Sequence, residues 1–243
     1  MTEAATTPKT RKPRQKKPEF RCEYCSSTFI RENMLLAHAC EKKRRLFDKD
    51  TKHVRMGFQI YQKFWHYSYP NSRKKSKTFE DFINFREYSA FTAFAKHLLN
   101  IRAINPERFI DFLLKNNVKL KNWKSDDIYL MYIRELSKAE TADAAIERNI
   151  LLMQQWANES GEEWFNFFRK ISPSAAVQYI KNGRISPWAI YTTESGQEML
   201  SRLSDEQLEM VRRYIDPDFW KLKFKRNKED FDEYREMLAG AGL

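Results

Sequence analysis

The stretch HVRMGFQIYQKFWHYSY, residues 53–69, sets the fold class. Its large apolar groups fall at Val54, Phe58, Tyr61, Phe64 and Trp65. That three-and-four spacing gathers them on one side of a helix, where a strand would alternate them. PNSRKKSK, residues 70–77, breaks the pattern, and similar signatures follow it. Thr78 opens TFEDFINFREY, with Phe79, Phe82, Ile83 and Phe85 or Tyr88 on one side. Asn105-Pro106, an N-cap followed by proline at the first helical position, starts PERFIDFLLKNN. Ser125 and two aspartates open DDIYLMYIREL, the acids favouring the positive end of the helix dipole. Thr141 opens a long helix through AAIERNILLMQQWA. Ser172-Pro173 starts another that Gly183 ends, and Ser204 with Gln207 forms a capping box. Asp216-Pro217 starts the last helical stretch, to about Leu238. No convincing strand pair or fixed-length repeat interrupts this. The expectation is a mostly α protein, its all-α body of eight to ten helices covering residues 46–243.

Composition agrees with a packed body. Hydrophobic residues make up 42% and aromatics 14% of the 243 residues, enough to bury a real core. The six glycines are scattered, which leaves no phosphate-cradling loop. There is no apolar run of the roughly 18 residues a membrane span needs, and no apolar secretory core near the N-terminus. The net charge is +11 and unevenly placed. Residues 1–77 hold 20 Lys/Arg against 7 Asp/Glu, and residues 78–243 hold 24 against 26. A basic first third on a near-neutral body suits a protein that meets a polyanion. Residues 1–19 carry Lys12, Arg14, Lys16 and Lys17 with three prolines and almost nothing to bury, so they read as a disordered basic tail.

The three cysteines all lie in residues 20–45, spaced Cys22-x2-Cys25-x12-His38-x-Cys40. Two cysteines with two residues between them chelate one ion from a tight turn, and zinc takes four such ligands in a tetrahedron. A module of this size has too little core to fold alone, so metal binding would supply the missing free energy. Three clustered cysteines and a histidine suit a metal site in a reducing compartment better than a disulfide framework. With Phe20 before the first cysteine, and Phe29 and Leu35 between the ligand pairs, residues 20–45 resemble the classical Cys2His2 zinc finger through its first three ligands. The resemblance implies a small ββα-like module, Zn2+ as cofactor, and Phe29 and Leu35 as the apolar plug. The ending His38-x-Cys40 departs from the family. Two residues apart on an α-helix point about 200° apart, so the helix should end at or just after His38 and let Cys40 return to the metal. Cys40 is the expected fourth ligand; His53, Glu41 or a water are the alternatives.

In that family the side chains at the start of the helix meet base edges, which here implies Arg31, Asn33, Met34 and Ala37. Arg31 suits guanine, whereas Met34 and Ala37 read little, so sequence-tolerant binding is expected. Lys42, Lys43, Arg44 and Arg45 follow the last ligand directly, and Arg73, Lys74 and Lys75 form a further basic group. Together with the tail they would grip phosphates, with a steep salt dependence. Tyr67 and Tyr69, beside that group, are candidates for stacking on exposed bases. No catalytic motif is present. His66 and His97 read as ordinary helix residues, and the pairs Asp126/Asp127 and Glu162/Glu163 sit at helix starts. RISPWAIYTTESG, residues 184–196, reads as a core-plugging short helix or a docking surface.

The expected function is therefore zinc-stabilised, phosphate-directed nucleic-acid binding, with DNA placed ahead of RNA and no membrane partner. The alternatives are an adaptor that docks a nucleic-acid machine and a nuclease without a readable motif. The join HACEKKRRLFDKDTKHVRMGFQ resembles an uncharacterised protein type of large tailed bacteriophages. That resemblance implies a viral accessory protein in a host cytoplasm, with a host or phage protein as a further partner.

Overall fold

The structure, a computed structural model, describes residues 20–72 and 76–243. The basic tail read over residues 1–19, with Lys12, Arg14, Lys16 and Lys17, lies outside the described residues, as do Arg73, Lys74 and Lys75. The described chain starts with a hairpin too short to stand alone. Strands β1 (Phe20–Arg21) and β2 (Thr28–Phe29) pair antiparallel, Phe20 opposite Phe29 and Arg21 opposite Thr28. Helix α1 (Glu32–Leu36) packs on both strands. Helix α2 (Glu41–Phe47) then crosses the boundary read between residues 45 and 46, so module and body share one helix.

The body holds α3 (Lys52–Ser68), α4 (Phe79–Ile83), α5 (Tyr88–Asn100), α6 (Pro106–Lys115) and α7 (Asp126–Ala139). After these come α8 (Ala142–Ser160), α9 (Phe167–Lys170), α10 (Pro173–Lys181), α11 (Pro187–Thr192) and α12 (Glu194–Ser201). The last are α13 (Asp205–Arg212), α14 (Pro217–Arg226) and α15 (Lys228–Gly240). The protein is mostly α, with one two-stranded sheet among the described residues. The helices outnumber the eight to ten read from the sequence. TFEDFINFREY is not one helix: the Asn84 side-chain amide folds back on the Glu80 carbonyl at 2.9 Å, and α4 stops there. The final stretch also divides, at Asn227.

The core grows outward from the pair of helices α3 and α5, which pack against each other. Gly57 lets Thr92 approach so closely that an added Cβ would sit 3.3 Å from its backbone. Tyr61 then packs on Phe82, Phe85 and Phe91, and the aromatic chain continues through Phe94 and Trp123 to Phe109, Tyr129 and Tyr132. Tyr129 is buried because its hydroxyl is satisfied: it accepts from the Ile104 N–H at 3.2 Å and donates to the Asn182 carbonyl at 2.9 Å. At the C-terminal end, Trp188 packs edge-on against Trp220 and Phe224. Residues 184–196 are thus a buried plug, with Trp188 only 1% exposed, and not a docking surface. Burying a large apolar side chain contributes roughly 1.5–3 kcal/mol, so this body has ample means to hold itself together.

Candidate metal centre

The site begins with a turn. The Cys22 N–H donates to the Ser27 carbonyl and the Ser26 N–H to the Cys22 carbonyl, each at 2.9 Å. Ser26 adopts a left-handed φ of 61°, which costs a non-glycine residue about 1 kcal/mol. The turn brings Cys22 and Cys25 to one side of the hairpin. Opposite them, α1 ends at Leu36, before His38. The His38 N–H still reaches the Leu35 carbonyl at 3.1 Å, and the Cys40 N–H donates to the His38 carbonyl at 2.9 Å. That second tight turn returns Cys40 to the same space, as the short ending requires.

The ligand atoms of Cys22, Cys25, His38 and Cys40 all lie within 4.8 Å of one another, and they can hold a metal ion. A tetrahedron of thiolates around one ion has edges of about 3.8 Å, so a small contraction closes it. Cys25 Sγ and His38 Nε2 are already 3.2 Å apart. His53 and Glu41 stand outside the cluster, and Glu41 is engaged by Arg45 at 2.5 Å. The Phe29 ring lies 4.9 Å from the His38 ring and holds it from one side. Cys22 and Cys40 are buried. The Ser27 hydroxyl and backbone N–H, with His38 behind them, pull the Cys25 thiol down to about 6. Burial pushes Cys40 up, against the Lys43 N–H, whose hydrogen bond reaches its Sγ at 3.4 Å. Cys40 is therefore also the N-cap of α2. A thiolate there is favoured by the helix dipole.

Around this centre the basic residues divide. Arg31 and Asn33 are exposed at the start of α1, and Lys43 and Arg44 are exposed on α2, with Lys42 half-buried. Lys43 Nζ lies 5.6 Å from the Tyr24 ring and 5.8 Å from the Phe47 ring. Arg45 points the other way. It donates to the Ile83 carbonyl at 2.5 Å, pairs with Glu41 and covers the Tyr88 ring at 4.3 Å. It joins α2 to the body instead of facing solvent with Lys43 and Arg44. Helix α1 has only five residues and leaves Met34 and Leu36 exposed; Ala37 is its C-cap.

Tyr67 and Tyr69 lie at and just past the end of α3, each about half exposed, at 48% and 49%. Phe64 and Trp65 are partly buried core, as their spacing implied. The Tyr69 ring packs on Trp65 at 4.3 Å, and Lys77 Nζ sits 3.9 Å from the same indole. Sequence reading missed what faces them. The link from α6 to α7, residues 116–125, carries Lys119, Lys121 and Lys124 and no acid, directly after Lys115 at the end of α6. A running charge count would have found it; summing over residues 78–243 hid it. Of the carboxylate pairs, Asp126 and Asp127 at the start of α7 face Lys181 and Arg213, and Glu162 faces Lys170.

Comparison with known protein families, curated proteins and solved structures finds no match to this chain. Among the described residues no helix is long and apolar enough to cross a membrane.

Proposed function

We propose that the chain is a zinc-stabilised, phosphate-directed nucleic-acid-binding protein. The observation that carries this reading is the convergence of three thiols and one imidazole directly beside the exposed cations Lys43 and Arg44. A donor set of three sulfurs and one nitrogen with no open carboxylate position favours zinc in a closed, structural role. Cys40 links the two halves of the idea: it ligates the ion and starts the helix that displays the cations. The five-residue α1, with Met34 and Leu36 on its exposed surface, supports sequence-tolerant contact over base reading. DNA stands ahead of RNA in this proposal, and a phage accessory protein working in a host cytoplasm is the setting it suits.

The test is metal content by mass spectrometry together with anisotropy of a labelled duplex across a salt series. One zinc per chain is expected, with an affinity that falls linearly in log salt. Each phosphate contact contributes a slope of about −0.9. Lys42→Ala/Lys43→Ala/Arg44→Ala should flatten that slope by up to about 3. No binding at low salt would sink the reading. Exposed Ile30, Met34, Leu36 and Phe47 around the same module favour the adaptor as the second reading. Capture of a protein partner without nucleic-acid binding would establish it. Cleavage of the labelled duplex in the same assay would instead establish the nuclease.

A further inference from the structure

A groove of about 620 Å³ lies between the end of α3 and the α6–α7 link. Its walls include Tyr67, Tyr69, Phe85, Asn117, Lys119 and Leu120, and Glu87 is its one acid. From these residues we infer that the groove takes the unpaired bases of a single-stranded nucleic acid. This rests on the nucleic-acid reading above and gives that reading a second, strand-selective site on the body.

Three features point to this occupant. The first is aromatic surface that the core does not consume. Tyr67 and Tyr69 stay half exposed, and the packing of Tyr69 on Trp65 with Lys77 beyond it fixes Tyr69 as a firm platform. Such platforms bind any base by its π-face. The second is charge. Lys119 is on the wall, and Lys121 and Lys124 are exposed on the same link, none of them paired with a carboxylate among the described residues. Residues 78–243 hold 24 Lys/Arg against 26 Asp/Glu, so this local run of cations is not a general solvated face. A neutral apolar peptide would have no use for it, whereas a phosphate backbone along the rim would. The third is size and polarity. The volume suits a few stacked bases and not the roughly 20 Å breadth of a duplex, and Ser68, Glu87 and Asn117 offer hydrogen-bonding groups for base edges.

The experiment compares a fluorescein-labelled 12-nucleotide single strand with the duplex of the same sequence, by anisotropy at fixed salt. Wild type, Tyr67→Ala, Tyr67→Phe and Lys119→Glu are each titrated, after circular dichroism shows unchanged helix content. Tyr67→Ala and Lys119→Glu should each weaken single-strand binding about tenfold and duplex binding less than twofold. Tyr67→Phe, which keeps the ring, should bind like wild type. Equal losses on strand and duplex, or no loss on either, would overturn the groove proposal while leaving the phosphate-directed reading intact. A wild-type protein that binds neither probe would overturn both.

Discussion

Gly196 marks the tightest point between α11 and α12. A Cβ there would lie 2.7 Å from the Ile190 carbonyl oxygen and 2.8 Å from its Cα, both backbone and unable to yield. The Thr193 hydroxyl completes the junction, donating to the Ala189 carbonyl at 2.7 Å and accepting from the Gly196 N–H at 3.0 Å. Gly196→Ala should therefore cost about 3 kcal/mol, at the upper end of overpacking. Gly161→Ala is the control, since nothing lies within 4 Å there and only its φ of 73° is penalised, at about 1 kcal/mol. Urea unfolding of the two variants checks the order; equal costs would mean that the junction relaxes. At the metal centre, Ser27 holds Cys25 down to about 6, so its thiolate is in place at neutral pH. The sign follows from a depressed acid. Without metal, this contribution to the folded module is complete above the ordinary thiol value of 9 and is lost as pH falls through about 6. Protons compete with metal for the same sulfur. In zinc-loaded protein, Ser27→Ala should raise the pH at which acid releases the metal, read by a colorimetric chelator. An unchanged midpoint would show that Ser27 does not tune this ligand.

Helix α2 does two jobs from its two ends. Cys40 caps its start at the candidate metal centre, and Arg45 in its last turn fastens it to α4 and α5 through the Ile83 carbonyl and the Tyr88 ring. Arg45→Ala removes a hydrogen bond and a cation–π contact, and should cost about 2 kcal/mol of stability. Arg44→Ala, one residue away and exposed, should stay within about 0.5 kcal/mol but weaken polyanion binding. Thermal unfolding and anisotropy on the same two variants separate the roles, and similar behaviour would show that Arg45 is no clamp. The sequence alone could not divide four adjacent cations this way, because Ile83 and Tyr88 come to Arg45 only through the tertiary fold. Local chemistry was easier to read. Thr78, Thr141, Ser172, Ser204 and Asp216 all cap the helices they were expected to open. Asn105 and Ser125 start theirs without a side-chain cap. Asn105 is in the left-handed region with φ 43°, and its carbonyl accepts from the Tyr132 hydroxyl at 3.2 Å. Helix α5 went unread because TFEDFINFREY looked continuous. Phe79, Phe82 and Ile83 belong to α4, Phe85 to the turn after it and Tyr88 to the start of α5, and Tyr61 gathers Phe82, Phe85 and Phe91 of α5 around it.

At the scale of the molecule, the metal module and the body are stabilised differently. The large apolar cluster runs from Val54 to Leu243 and includes none of the cysteines. The module has no such cluster: among the described residues it buries Cys22 and Cys40, and Phe29 and Leu35 only in part. That asymmetry was legible from composition, since every candidate ligand and all of the basic excess lie in the first third of the chain. The lysine link opposite Tyr67 was not, because it enters this surface from a segment near neutral overall. Removing the metal should therefore act on one part only. A strong chelator should leave the main thermal transition of the body within a few degrees and most of the helical circular dichroism intact. It should loosen the module, abolish the cap that Cys40 gives α2, and weaken duplex binding as Lys43 and Arg44 lose their fixed positions. Single-strand binding through the groove should survive better, because α3 and the α6–α7 link pack within the body. A collapse of the whole helical signal on chelation would overturn this division and make the metal the nucleus of the entire fold.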